Sequence, residues 1–386
     1  MASVSMKPTG LGVYIHWPFC AAICPYCDFN VHLFRDPDQS DWRRAYEKDI
    51  AHAAGLQAGG PVGTVFFGGG TPSLMSAQTV GHVLAALDRH WGLAADVEVS
   101  LEANPSSLPE AGLHDLQAAG VTRLSLGVQS LDDAALKFLG RTHDAAQAVR
   151  AFGAARAVFD RVSLDLIYAR PGQTVSDWED ELGAALALQP DHLSAYQLTL
   201  EPDTPFYRLY EKGKLVPPPE DEQVALYRHT GAACAAAGLS GYEVSNYARD
   251  GHICRHNLRS WQGGDYAGIG PGAHGRLSLD GHRLATVGQR NPMDWLAQVA
   301  EQGHGLALCE KLSAEDAADE VLLFGLRLSE GVPMTALAAR GVQISAEKKL
   351  FFIEQGLLQN RTDRLAATAK GHLVLDRLTA ELLSGR

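Results

Sequence analysis

Two kinds of segment alternate along roughly the first half of the chain: short ones rich in β-branched and aromatic residues, and longer ones rich in alanine and leucine. This alternation is typical of βα units, whose parallel strands are joined by helices. We predict strands at 12–17, 64–67, 97–103, 123–128, 161–167 and 192–198, and helices at 80–90, 145–158 and 178–188. The pattern predicts an α/β fold with a parallel sheet or barrel.

A polar, glycine-rich or cysteine-rich segment directly follows each predicted strand. The six segments are 20–27, 68–72, 102–105, 129–130, 165–168 and 199–201. In a βα barrel the loops that follow the strands form one face, and active sites lie on that face. Any one segment could be an ordinary turn, but six in phase predict one shared site.

After a proline-rich stretch at 216–219 the pattern loosens. We predict a first domain over 1–275, a connection over 276–310 and a small C-terminal domain over 311–386. In the last of these, two or three helices and a hairpin near 365–375 indicate a helical or winged-helix-like domain.

Three cysteines, Cys20, Cys24 and Cys27, fall within eight residues in the loop after the first predicted strand. Thiolates at short spacings are the usual ligands of iron–sulfur clusters. A four-iron cluster held by three cysteines has one iron without a protein ligand, which leaves it open to a small molecule. A zinc site and ordinary structural cysteines are the alternatives, although zinc sites usually have a second cysteine pair.

Composition excludes several other classes of protein. The 386 residues carry a formal net charge of −12 and no basic run, which opposes binding to nucleic-acid phosphates. The start, Met1 to Leu11, has no signal-peptide character, and no later stretch has the apolar length of a membrane span. We therefore predict a cytoplasmic protein whose cysteines need not form disulfides.

The cysteine spacing CxxxCxxC resembles the signature of the radical S-adenosylmethionine (SAM) superfamily. The resemblance implies a partial (β/α)6 barrel with additional β/α elements, and a [4Fe–4S] cluster on Cys20, Cys24 and Cys27. SAM would bind the free iron through its amino and carboxylate groups. The residues that it implies for SAM binding are Tyr14, Gly68, Gly69, Gly70, Thr71, Glu102, Gln129, Arg141 and Asp165.

Each of these SAM-site assignments has a plainer alternative. The glycines could form a simple turn between strand and helix, Glu102 or Asp165 could cap a helix, and Arg141 could form a surface salt bridge. The residue types at these positions nevertheless suit SAM. Glycine lets the backbone approach it closely, carboxylates accept from ribose hydroxyls or the ammonium, and a guanidinium pairs with a carboxylate through parallel hydrogen bonds.

Further motifs at 14–20, 127–130, 140–143, 165–168 and 241–247 resemble the oxygen-independent coproporphyrinogen III oxidases. True oxidases carry a further cysteine where this chain has Phe29, and a longer N-terminal extension. Both differences match the HemW-type haem chaperones of the same superfamily. That resemblance implies haem as a third ligand and delivery to respiratory haem proteins such as cytochromes, with a peripheral association at the inner membrane. It also implies a bacterioferritin-like haem donor, and it leaves a homodimer as an open question.

The segment 256–261 resembles a family motif, HNxxYW, with Ser260 in place of the tyrosine. A neutral imidazole is a suitable haem ligand, so His256 is the candidate axial ligand, and Trp261 could supply an apolar face. Cys254 and His274 are weaker candidates, and His256 could instead only satisfy local hydrogen bonds. Two functional alternatives remain: an active oxidase or other tetrapyrrole-modifying enzyme, and a structural protein that keeps only the fold.

Overall fold

The computed structural model describes residues 10–34, 38–56, 59–108 and 110–384. The prediction that Met1 to Leu11 is not a signal peptide falls mostly on residues outside these ranges, as do the outer limits of the predicted domains, at 1 and 386. The strands are β1 Leu11–Trp17, β2 Phe19–Cys20, β3 His32–Leu33, β4 Val62–Gly69, β5 Leu93–Ala103, β6 Arg123–Gln129, β7 Val162–Tyr168, β8 His192–Gln197, β9 Ser240–Gly241, β10 Asn246–Ala248, β11 Tyr266–Ile269, β12 His274–Leu279, β13 His282–Gly288, β14 Leu306–Lys311, β15 Val332–Pro333 and β16 Arg364–Leu365.

One large sheet organises the described part of the chain, with twelve strands in the order β14-β13-β12-β11-β1-β4-β5-β6-β7-β8-β10-β9. The strands β1, β4, β5, β6, β7 and β8 are parallel neighbours. They are the six strands predicted from the sequence, with bounds shifted by a few residues, and they form the partial (β/α)6 barrel. The α/β fold is therefore confirmed.

Side chains of the barrel strands alternate between two buried environments. Apolar residues face the helices and form the main core, with Val13, Ile15, Val65, Leu124 and Leu126 completely buried. The intervening residues are mostly polar and point to the inside of the barrel, among them Glu102, Arg123, Ser125, Asp165 and Ser194. Since successive side chains in a strand point to opposite faces, one strand can build both a core and a polar interior.

Helices cover the outer face of the barrel, and several of them begin at a side-chain cap. The helices are α1 Gln39–Leu56, α2 Ala77–Trp91, α3 Glu110–Ala118, α4 Asp133–Phe138, α5 Ala145–Val158, α6 Val175–Ala187, α7 Pro205–Glu211, α8 Glu220–Ala236, α9 Arg255–Trp261, α10 Pro292–Gln302, α11 Ala314–Gly325, α12 Met334–Ala339, α13 Ala346–Glu354, α14 Ala369–His372 and α15 Leu375–Leu383. The predicted helices correspond to α2, α5 and α6, which Ser76, Asp144 and Thr174 cap through their side chains. No helix within the described ranges is both long enough and apolar enough to cross a bilayer.

The stretch 276–310, expected to be a connection, instead contains regular structure that extends the sheet. Strands β12 and β13 form a tight hairpin, and β14 pairs with β13. Asp280 and Gly281 make the two-residue turn, both with positive φ, as the favoured hairpin turns require. The Asp-Gly pair was the available sequence signal for this hairpin.

The C-terminal region has its own small core, built around Leu322, Leu337, Phe352 and Leu378. The hairpin predicted near 365–375 is displaced towards the N-terminus: Leu358 and Ala367 form an antiparallel bridge, and helices follow Thr368. Leu365 in β16 pairs across to Val332 in β15, which is far away in sequence. The Thr368 hydroxyl then accepts from the Gly371 backbone N–H at 3.0 Å and starts helix α14, so the apparent alternation belongs to a strand end and two helices.

Candidate functional site

A cavity of about 860 Å³ occupies the inside of the barrel. All six segments that follow the predicted strands contribute residues to its wall, from the cysteine loop to Thr199. The cavity therefore has a loop end, defined by the cysteines, Gly69, Gly70, Gln129 and Arg141. It also has a deep end, defined by Arg123 and His256. Arg123 and Gln129 are the first and last residues of β6, so the ends are roughly 20 Å apart at the usual rise per residue.

At the loop end, Cys20, Cys24 and Cys27 all line the cavity and are all partly exposed. The Thr71 hydroxyl lies 3.4 Å from Cys20 Sγ, and Arg141 Nη1 lies 3.4 Å from Cys24 Sγ. Burial raises the pKa of the Cys20 thiol, and that of Cys27 to about 11. Metal coordination is the interaction that would deprotonate such thiols outright.

The cysteine loop has the donor set that a four-iron cluster uses. Within the described residues, no three His, Cys, Asp or Glu side chains converge closely enough to hold one metal ion. A cubane distributes its cysteine ligands over different irons, so the three thiols can stand further apart. Their partly buried position on the cavity wall, with donors from Thr71 and Arg141 nearby, suits an anionic cluster.

The glycine loop brings bare backbone to the cavity beside the cysteines. Gly69 has φ +106°, and a Cβ there would lie 2.5 Å from the His16 ring. A Cβ on Gly70 would lie 2.6 Å from the carbonyl oxygen of Phe19. Only glycine fits at either place. Gly69 and Gly70 line the cavity with Thr71, whereas Gly68 lies behind them against the Tyr14 ring.

Two carboxylates share the cavity wall without an ion-pair partner within 4 Å in the described residues. Glu102 accepts a hydrogen bond from the Gly69 N–H at 3.2 Å, and Asp165 accepts from the Ser125 and Ser163 hydroxyls at 2.9 Å. Burial, and then the neighbouring Asp165, raise the pKa of Glu102 to about 8; burial also raises the pKa of Asp165. A cationic ligand would relieve this repulsion, and SAM carries a sulfonium.

Gln129, Arg141 and Tyr14 complete the loop end. Gln129 adopts φ +68° at an irregularity in the β6–β7 pairing, which turns its side chain into the cavity. Arg141 Nη2 donates to the Gly127 carbonyl at 2.9 Å, so the guanidinium is held at the cavity wall rather than in a surface salt bridge. The Tyr14 hydroxyl lies 3.2 Å from His16 Nδ1.

His256 lies at the deep end, on the first turn of α9, and is buried. Its ring packs 5.3 Å from the Phe66 ring, and its Nδ1 lies 3.1 Å from the Thr64 hydroxyl. Burial lowers the pKa of His256 to about 4, so the imidazole is neutral at physiological pH. Glu98 fixes its position by accepting from the Arg255 and His256 backbone N–H groups at 3.2 and 3.1 Å.

Three other residues of this region lie outside the cavity wall. Trp261, expected to offer an apolar face, instead packs between Phe324, at 5.8 Å, and the guanidinium of Arg327, at 4.5 Å. Cys254 is completely buried beside Glu98, and His274 is exposed on β12. The Ser260 hydroxyl donates to the His256 carbonyl at 3.2 Å, which holds the helix turn.

Sequence reasoning missed part of the cavity wall. Arg123, Tyr196 and Tyr227 line it from the barrel side, and Arg327 and His372 from the C-terminal region. Arg123 could have been found from the period-two alternation of β6, in which Arg123 and Ser125 flank the buried Leu124. The C-terminal residues carry no comparable local signal, because only the fold brings them to the barrel.

Comparison with known proteins agrees with this architecture. The model of the radical SAM superfamily matches residues 14–184, and that of the HemN C-terminal domain matches residues 312–374. The heme chaperone HemW of Escherichia coli is 36% identical over 97% of this chain and 98% of its own length. HemW of Mycobacterium tuberculosis is 37% identical over 96% of this chain and 94% of its own length.

The chain belongs to the HemW family of radical SAM proteins. The mouse protein named radical S-adenosyl methionine domain-containing protein 1, mitochondrial, is also similar, with 40% identity over 97% of this chain and 88% of that protein. Among solved structures, coproporphyrinogen III oxidase (HemN) from Escherichia coli shares the fold, with a TM-score of 0.80 over 98% of this chain and 92% of that chain, at 23% identity. Membership of the radical SAM superfamily implies a [4Fe–4S] cluster and SAM, and the loop end of this HemW-family chain has residues that fit both.

Proposed function

We propose that this protein is a haem chaperone that binds a [4Fe–4S] cluster, SAM and haem, and delivers haem to respiratory haem proteins. The observation that carries the proposal is the extension of one cavity from the three cysteines to the neutral His256. It is supported by near full-length similarity to proteins named heme chaperone HemW.

At the loop end, Cys20, Cys24 and Cys27 hold the cluster, which supplies an open iron and electrons when it is bound. Gly69, Gly70 and Thr71 offer backbone and hydroxyl groups to SAM. Glu102 and Asp165 compensate its positive charge, while Gln129 and Arg141 bind its polar groups. These residues orient SAM and exclude water.

At the deep end, His256 supplies a haem ligand. With Nδ1 turned to Thr64, Nε2 is the ring nitrogen left for a metal, and the depressed pKa keeps it unprotonated. Phe66 fixes the plane of the ring. Haem coordination thus needs no prior loss of a proton from the imidazole.

The mouth of the cavity favours a chaperone over an oxidase. Phe29 stands where true oxidases carry a further cysteine; it lines the cavity and is 62% exposed. Exposed aromatic surface at the entrance suits the passage of an apolar ligand between proteins. The recipient cytochromes, a bacterioferritin-like donor, a homodimer and a cytoplasmic location at the inner membrane remain predictions.

The test is an anaerobic haem titration of protein with a reconstituted cluster, followed by transfer to an apo-cytochrome. We expect saturable haem absorbance in wild type, loss of it in His256→Ala, and no change in His274→Ala, which alters an exposed histidine outside the cavity. The proposal is wrong if wild type takes up no haem but converts coproporphyrinogen to protoporphyrinogen with formation of 5′-deoxyadenosine.

A further inference from the structure

Arg123 is the most unusual charged residue of the barrel interior. It is 2% exposed and lines the cavity at its deep end. Buried guanidinium groups are normally paired or hydrogen-bonded, because leaving them without partners costs several kcal/mol. Within the described residues, however, its guanidinium has no hydrogen bond and no carboxylate within 4 Å. The groups that face it at longer range are Cys254, Glu98, Tyr242 and Asp165.

The nearby carboxylates Glu98, Glu102 and Asp165 attract Arg123 only at longer range, and none of them forms an ion pair with it within 4 Å. Glu98 pairs with Arg161 at 2.7 Å, lies 3.8 Å from Arg255, and accepts from two backbone N–H groups of α9. Asp165 accepts from two serine hydroxyls. Within the described residues the guanidinium donors of Arg123 therefore have no direct acceptor, and they are available to a ligand that enters the cavity.

The position of Arg123 in the cavity indicates whether it can bind SAM or the ligand of His256. The methionine carboxylate of SAM belongs at the loop end, roughly 20 Å along β6. His256 belongs to the same end as Arg123. It contacts Thr64, which pairs with Glu98 in the sheet, and Arg123 pairs with Ser100, two residues further along the same strand.

We infer that Arg123 binds a propionate carboxylate of the haem that His256 ligates. The inference rests on the proposed function and adds a specificity: the deep end selects a tetrapyrrole with free carboxylates. A guanidinium suits this role because its planar fork can donate two parallel hydrogen bonds to one carboxylate. The propionate would also give the buried Arg123 guanidinium a direct hydrogen-bond acceptor.

The experiment compares haemin with haemin dimethyl ester in one detergent-containing buffer, by absorbance titration of the cluster-reconstituted protein. The ester keeps the iron and the ring but has no carboxylates. Wild type should bind haemin at least about tenfold more tightly than the ester, since a hydrogen bond to a charged group commonly contributes this much. In Arg123→Gln the two affinities should become equal. The control Arg150→Gln, on the exposed face of α5, should keep the wild-type preference.

The outcomes separate the two claims. If wild type binds neither compound, the proposed function itself fails. If wild type binds both equally, or if Arg123→Gln keeps the full preference, haem binding stands and the inference is overturned. Should Arg123→Gln not fold, Arg123→Lys decides: it keeps the charge but loses the fork, so a reduced preference supports the inference and an unchanged preference overturns it.

Discussion

At the loop end of the cavity, the cysteines, the glycines and Arg141 stand in segments that follow the strands. At the deep end, Glu98 and Arg123 stand on strands and His256 stands on helix α9. Glu98 holds the first turn of that helix. The loop-end thiols are partly exposed, whereas Glu98, Arg123 and His256 are buried. Changes of the partly exposed thiols at the loop end should therefore remove cluster ligands and leave the fold intact. Changes at the deep end should also alter the stability of the barrel.

The largest effect is expected from Cys27→Ala. Removal of one of three iron ligands should abolish the four-iron cluster, measured as iron and acid-labile sulfide per protein after anaerobic reconstitution. The melting temperature of the apoprotein should hardly change, because Cys27 is partly exposed. Cys309→Ala, at an exposed cysteine on β14, is the control and should retain the full cluster. A large loss of apoprotein stability in Cys27→Ala would contradict the contrast between the two ends.

Glu98→Gln, in contrast to Cys27→Ala, should lower the stability of the apoprotein. The change leaves Arg161 without its buried partner and weakens the support of α9, so the free energy of unfolding should fall by about 3–5 kcal/mol in urea titrations. Glu47→Gln removes a carboxylate from an exposed pair with Arg89 and should cost no more than about 1 kcal/mol. If the two substitutions lower the free energy of unfolding equally, the buried Glu98 does not stabilise the barrel more than a surface carboxylate does.

Gly69→Ala tests how tightly the loop end is built. The added Cβ would clash with the His16 ring, whose Nε2 lies 2.9 Å from the Asn30 carbonyl oxygen. The alanine would also have to keep a positive φ, which is unfavourable for it. Gly92→Ala also places alanine at positive φ, but no atom lies within 4 Å of the added Cβ. We expect Gly69→Ala to cost about 1–3 kcal/mol more than Gly92→Ala in unfolding free energy. If both substitutions lower the free energy of unfolding by a similar amount, the loop around Gly69 can move to accommodate a Cβ.

The smallest effect concerns the pH dependence of SAM binding. With a pKa of about 8, Glu102 is mostly protonated in the empty site at pH 6–7. A cationic ligand favours the carboxylate, so binding releases a proton and affinity should rise with pH, by up to about tenfold between pH 6 and 7. Glu102→Gln should bind SAM more weakly and without this slope in calorimetric titrations. A wild-type affinity independent of pH would refute this role of Glu102.

Much of the loop end could be predicted from the sequence, because its residues are contiguous or follow strands in phase. The spacing of Cys20, Cys24 and Cys27 and the glycines after β4 are local signals, and the parallel topology brings such segments to one face. The deep end could be predicted only in part. His256 stands in a recognisable motif, but its approach to Thr64 and Phe66 depends on how α9 packs under the barrel.

The C-terminal contribution to the cavity could not be predicted at all. Arg327 and His372 reach the wall only because the small C-terminal core packs against the barrel. Trp261 shows the same limit. Its motif suggested a ligand face, whereas its partners Phe324 and Arg327 come from that distant region.

We propose that one cavity holds the cluster at its loop end and haem at its deep end, through different residues. The most direct measurement is the anaerobic determination of cluster iron and haem uptake together in wild type, Cys24→Ala and His256→Ala. We expect Cys24→Ala to lose the cluster and keep haem uptake, and His256→Ala to lose haem uptake and keep the cluster. A single substitution that abolishes both in a folded protein, or haem uptake that survives His256→Ala, would contradict it.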